Sequence, residues 1–202
     1  MHYRATAVPA RSLVAAAAAR AGSEAAAFGV RAGAVLFAAV LTGAAAQLSV
    51  PVPWSAVPFT MQPVAVLLAG AVFGARLGAM SQALYLLFGV TGAAMFALSP
   101  VLAPGLARLV GPTGGFLLAF PAAACAVGAL ADRAWTRTFA GALAAMSAGL
   151  GVLYASGAVW LAIVAGPGAL ATLWVFAASD LVKVAAAAAV LPAAVRALGP
   201  RR

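Results

Sequence analysis

Acidic residues are nearly missing from this chain: 3 Asp and Glu stand against 12 Lys and Arg among 202 residues, and only 7% of the chain is charged. A soluble domain carries about a quarter charged residues, so water is not the solvent for most of this surface. His2 is the single histidine and Cys125 the single cysteine. The scarcity of histidine excludes Ser-His and Cys-His catalysis and any His-rich metal site. A lone cysteine excludes an internal disulfide. No GxxxxGKS/T stretch occurs, so ATP phosphates find no P-loop cradle and ATP-driven work requires a partner. Glu24 and Asp132 fall outside the apolar segments, which leaves Asp180 without a second carboxylate for acid–base chemistry. We expect no enzyme, no metal site and no cofactor.

What is abundant is apolar surface, 66% of the chain. The net charge of +9 does not form a stripe. Basic residues sit between apolar stretches, the pattern of membrane topology and not of nucleic-acid binding. The fold class expected is all-α and integral to the membrane: one domain over residues 31–197, after an Ala-rich leader over 1–30 and before a basic tail over 198–202. Ser12 to Ala19 faintly resembles a signal-peptide core. Arg20 and Arg31 resist translocation and favour a cytoplasmic leader lying near the membrane surface.

Apolar runs place spans at Ala32–Val50, Val64–Phe73, Leu77–Val90, Gly114–Leu130, Ala140–Ala162 and Ala169–Leu191. The second and third are shorter than the ~20 residues of a full crossing and meet at the turn Gly74 to Gly78. Pro51, Pro53 and Pro58 surround Trp54, which predicts a rigid, partly inserted loop with an interfacial tryptophan. Thr91 to Pro112 makes a long connection holding Arg108. Six helices with both termini cytoplasmic place Arg4, Arg11, Arg20, Arg31, Arg76, Arg133, Arg137, Arg196, Arg201 and Arg202 inside and Arg108 alone outside. That asymmetry is what the positive-inside rule demands.

Asp180 and Lys183 stand three residues apart within the last span, on one helical face. A charge at the bilayer centre costs about 2.5–3.5 kcal/mol on insertion scales, so such residues face a partner, a cavity or a ligand. Two readings stay open. The pair neutralises itself, or the aspartate accepts ligand N–H groups while the lysine balances charge or meets a carboxylate.

Ala34, Ala38 and Thr42 form one row of small residues on the first span, and Ala39 and Gly43 end a neighbouring one. Such rows let helices approach closely, either inside the chain or against another membrane subunit. Gly89 to Gly92 and Gly111 to Gly115 bracket the long connection and suit a ligand lid or simple turns. Gln62 and Tyr85 are uncharged polar candidates for completing a pocket.

Val57-Pro58-Phe59-Thr60-Met61-Gln62, Leu68-Ala69-Gly70 and Gly74-Ala75-Arg76-Leu77-Gly78 occur in that order. Leu84-Tyr85-Leu86-Leu87-Phe88-Gly89, Gly111-Pro112-Thr113-Gly114-Gly115-Phe116 and the Asp180/Lys183 pair follow. Together these resemble the BioY biotin transporter family over most of residues 33–190. Phe116 stands where the family often carries tyrosine. The resemblance implies a six-helix substrate-binding S component of an energy-coupling-factor transporter. It captures biotin and works with a transmembrane coupling protein and two ATPase subunits. It also implies that Asp180 accepts a ureido hydrogen bond with Lys183 close by, and that Gln62, Tyr85 and the backbone near Gly89 and Gly114 shape the rest. Phe88 and Trp54 would cover the apolar ring. The small rows of the first span become a coupling face. Rival readings are an S component for another vitamin and a membrane assembly subunit that binds no ligand.

Overall fold

A computed structural model describes residues 13–99 and 102–198. His2, Arg4, Arg11, Arg201 and Arg202 lie outside the described residues. The chain runs α1 (Leu13–Ala19), α2 (Glu24–Gln47), β1 (Ser49–Val52), β2 (Ser55–Thr60), α3 (Gln62–Val90), α4 (Ala107–Val110), α5 (Gly114–Ala131), α6 (Phe139–Ala165) and α7 (Leu173–Leu198). Five helical runs are long and apolar enough to cross a membrane among the described residues. Phe28, Ile163, Trp174 and Val182 are exposed on their outer faces, as hydrocarbon surroundings permit.

The first long helix begins at Glu24, not at Ala32 as the sequence suggested. Ser23 takes extended backbone geometry and its hydroxyl accepts the Ala26 N–H at 3.1 Å. This N-cap, with Glu24 against the positive end of the helix dipole, starts the helix inside the expected leader. Earlier still, α1 buries Val14, Ala16 and Ala18.

The Pro-rich stretch is a β-hairpin, a correction to the expected loop. Ser49 pairs with Thr60, Val50 with Phe59 and Val52 with Ser55, and the register slips between Val50 and Val52. Pro51 occupies that slip, where a residue without an N–H breaks no ladder bond.

Residues 62–90 form one helical run that doubles back. Gly74 has φ 82° and ψ 177°, a conformation essentially reserved for glycine. Gln62 and Tyr85 would lie about 35 Å apart on a straight helix at 1.5 Å per residue; their side chains meet at 2.7 Å. At the turn, a Cβ on Gly78 would fall 2.8 Å from the Gly70 Cα, so the two limbs touch through backbone. Gly70 abuts the Ala124 carbonyl of α5, and Gly128 of α5 abuts Ala75, which seats α5 against this hairpin. Asp132 Oδ2 accepts the Ala75 N–H at 3.2 Å, capping the second limb. The core above this seam holds Val66, Leu67, Tyr85, Ala123, Val127, Met146, Leu153 and Val184.

Candidate functional site

Asp180 is buried near the start of α7, and its two oxygens have different partners. Lys183 Nζ donates to Oδ1 at 2.8 Å, and the Tyr154 hydroxyl of α6 donates to Oδ2 at 2.8 Å. The three-residue spacing on one helix makes the first contact; the packing of α6 on α7 makes the second. Lys183 also donates to the Thr60 carbonyl at 2.9 Å and lies 5.9 Å from the centre of the Phe59 ring. Phe59 stacks on Phe176 with centroids 4.2 Å apart. A carboxylate oxygen has about two lone-pair sites, so Asp180 keeps acceptor capacity after both bonds.

Asp180 borders a cleft of about 720 Å³, its open mouth included. One wall is Val57, Pro58, Phe59 and Thr60 at the end of the β-hairpin, followed by Gln62 and Pro63. Phe116, Phe120, Leu153, Tyr154 and Phe176 give the cleft an aromatic and aliphatic lining. Tyr154 meets the Phe116 ring edge-on at 5.7 Å, and a side chain at Gly157 would collide with Phe116. Gln62 Nε2 donates to the Tyr85 hydroxyl at 2.7 Å, and Tyr85 is held between Phe120 and Phe96.

Arg108 and Thr113 are the remaining polar groups on the wall. Arg108 is buried, with Nε donating to Ala103 O at 2.8 Å and a terminal nitrogen donating to Leu102 O at 3.1 Å. Burial lowers its pKa from the ordinary value, and the nearby Tyr85 opposes that shift. Among the described residues it has no carboxylate partner. A guanidinium has five N–H donors, so this cation retains donors for an anion. The Thr113 hydroxyl is buried and has no hydrogen-bond partner among the described residues, although it sits where a threonine commonly caps a helix.

Of the residues expected at a site, Gln62 and Asp180 line the cleft, Tyr85 supports Gln62, and Lys183 reaches it through Asp180 and Thr60. Four others lie elsewhere. Phe88 is on α3 outside the lining, and Trp54 is exposed at the tip of the β-hairpin. Gly89 makes room for the Phe96 ring, and Gly114 for the Leu109 carbonyl. Both glycines serve close packing instead of lining the cleft.

The expected docking row is likewise turned inward. Ala38, Ala39, Thr42 and Gly43 are buried within the chain and Ala34 is half-buried. Gly43 lies against Met95, while Thr42 accepts a bond from Gln82 Nε2 at 3.2 Å. Small residues here allow internal helix contact, the alternative that an alanine-rich span always offers.

Sequence reasoning missed Tyr154, Thr113 and the Phe59–Phe176 stack, and it left Arg108 as topology alone. Tyr154 and Arg108 did carry a signal: each is an isolated polar group in strongly apolar surroundings. The ring stack joins residues far apart in sequence and left none.

The BioY family model matches residues 18–200. The Biotin transporter BioY of Rhizobium etli is 36% identical over 166 residues, covering 76% of this chain and 86% of the relative. That of Thermotoga maritima is 40% identical over 108 residues, covering 54% of this chain and 61% of the relative. The match thus spans less than two thirds of the Thermotoga protein's length. A solved structure, described as the S-component for biotin from an ECF-type ABC transporter, shares the fold with TM-score 0.73 at 20% identity, covering 82% of this chain and 90% of that one. A match over nearly the whole chain, on a helical scaffold that encloses a charged cleft, makes this protein a member of the BioY family.

Proposed function

We propose that this chain is the biotin-binding membrane subunit of an uptake system, energised by a transmembrane coupling protein and two ATPase subunits. The observation that carries this is one apolar cleft bordered by a buried carboxylate and by a cation with no carboxylate partner among the described residues. Biotin has two ureido N–H donors, an apolar thioether ring and a carboxylate tail. Asp180, held by Tyr154 and Lys183, accepts from the ureido ring. Phe116, Phe120 and Phe176 cover the apolar part, and Arg108 receives the carboxylate. The relatives named as biotin transporters support the ligand.

The reversal at Gly74 supports six crossings made from five long helical runs. Two short limbs then cross as a hairpin, with both chain ends on the cytoplasmic side of a bacterial-type cell membrane. In this reading residues 31–197 are the membrane domain, and the β-hairpin and residues 91–113 lie outside. Partner subunits supply the ATP chemistry for which this chain has no P-loop.

Calorimetric titration of the purified protein with biotin, thiamine and riboflavin tests the ligand. Biotin alone should bind, and Asp180→Asn should bind at least about tenfold more weakly, since a hydrogen bond to a charged group contributes about 1.5–3 kcal/mol. Preference for another vitamin would replace biotin while keeping the transporter reading. The direct Asp180–Lys183 bond of 2.8 Å favours a second reading, a subunit whose buried pair only neutralises itself. That subunit would show no thermal stabilisation by any of the three vitamins, whereas a ligand at 100 times its Kd should add about 2.7 kcal/mol.

A further inference from the structure

We propose that Lys183 is a positioning residue that straps the end of the β-hairpin to α7, fixing the cleft wall at Thr60–Gln62 beside Asp180. Its ammonium bonds two acceptors on separate elements: Asp180 Oδ1 on its own helix at 2.8 Å and the Thr60 carbonyl on β2 at 2.9 Å. Lys183 itself is not part of the cleft lining, while Phe59, Thr60, Gln62 and Asp180 are. Two of its three N–H donors are therefore spent inside the chain, on the two walls that must be held in register.

The β-hairpin needs such a tie. Two strands alone are marginal, and among the described residues β1 and β2 form no wider sheet. Ser49 Oγ reaches Leu98 O at a long 3.4 Å, and Phe59 stacks on Phe176. The Lys183 bond adds a charge-assisted link at the residue just ahead of the turn into α3, where Met61 leads to Gln62. Charge-assisted bonds are about twice as strong as neutral ones. The strap ranks Lys183 differently from a ligand contact: it acts on the empty protein, through Thr60, before any ligand arrives.

Hydrogen–deuterium exchange on the ligand-free full chain in detergent tests this, reading peptides over residues 49–60. Lys183→Met should speed exchange there at least about tenfold while leaving α5 unchanged, as expected of a locally released unit. The charge-balanced Asp180→Asn/Lys183→Met protein, which carries no unpaired buried charge, should behave alike. Asp180→Asn, which keeps the ammonium on Thr60, should stay near wild type, and Lys183→Arg should restore most of the protection. Wild-type exchange in both Lys183→Met proteins overturns the strap. Equal acceleration in Asp180→Asn also overturns it, because charge balance would then be the cause.

A second readout is the rate of biotin exchange. A released wall accelerates association and dissociation together; faster dissociation with unchanged association would mark Lys183 as a plain ligand contact and end the proposal. The exchange measurement uses no ligand, so its failure is separate from failure of the biotin reading.

Discussion

The Tyr154 hydroxyl donates to Asp180 Oδ2 at 2.8 Å, bridging α6 and α7 across 26 sequence positions. This bond orients the carboxylate, which borders the cleft and keeps acceptor capacity beyond its two bonds. Tyr154→Phe should therefore weaken biotin binding by about 10–100-fold, the equivalent of 1.5–3 kcal/mol for a hydrogen bond to a charged group. Titration calorimetry reads the change. An unaltered Kd would remove Tyr154 from the site.

Arg108 predicts selectivity for a free acid. Wild-type protein should bind biotin more tightly than its uncharged methyl ester. In Arg108→Gln the acid should lose at least about tenfold in affinity while the ester changes little, because only the acid forms the charge-assisted contact. Parallel losses for both ligands would show that Arg108 merely holds the loop through Leu102 and Ala103.

The Gln62–Tyr85 bond is buried and direct, 2.7 Å between the two limbs of α3. Removing one partner strands the other. Tyr85→Phe or Gln62→Leu alone should cost about 1–3 kcal/mol of stability, and the double variant should cost less than the sum. Melting of the ligand-free protein in detergent provides the comparison. Additive losses would mean that the two groups do not depend on each other.

Gly74 makes the reversal possible, and its φ of 82° with ψ near 177° strains any side chain. Gly74→Ala should destabilise the protein by about 1–3 kcal/mol. The same turn predicts topology. In a background with Cys125 replaced by serine, cysteines at Arg76 and Arg137 should react with a membrane-impermeant thiol reagent from the same side. Reaction from opposite sides would break the six-crossing arrangement.

Much of this scaffold was legible before any coordinate. Apolar runs of near-bilayer length have one physical solution, the helix, because lipid offers no partner for a free backbone group. The two short runs meeting at Gly74 were readable as separate pieces, since neither reaches the length of a crossing. Asp180 and Lys183 stood out because a charge has so few reasons to remain in hydrocarbon. The β-hairpin was hidden: three prolines mask its alternation, and its place depends on Phe176 and Lys183 more than a hundred positions away. The small-residue row of α2 was ambiguous for a different reason. Small side chains permit close approach without saying which helix approaches.

Composition and hydropathy alone determined that this is a helical, membrane-embedded protein with charge held at one spot in its last helix. Both follow from transfer free energies, which belong to residues whatever their neighbours. Only the tertiary structure decided that Tyr154 and Thr60 share that charge, that Arg108 joins the same cleft, and that Ala38, Ala39, Thr42 and Gly43 face inward. Those are distances between distant parts of the chain, and they exist only once the helices have packed.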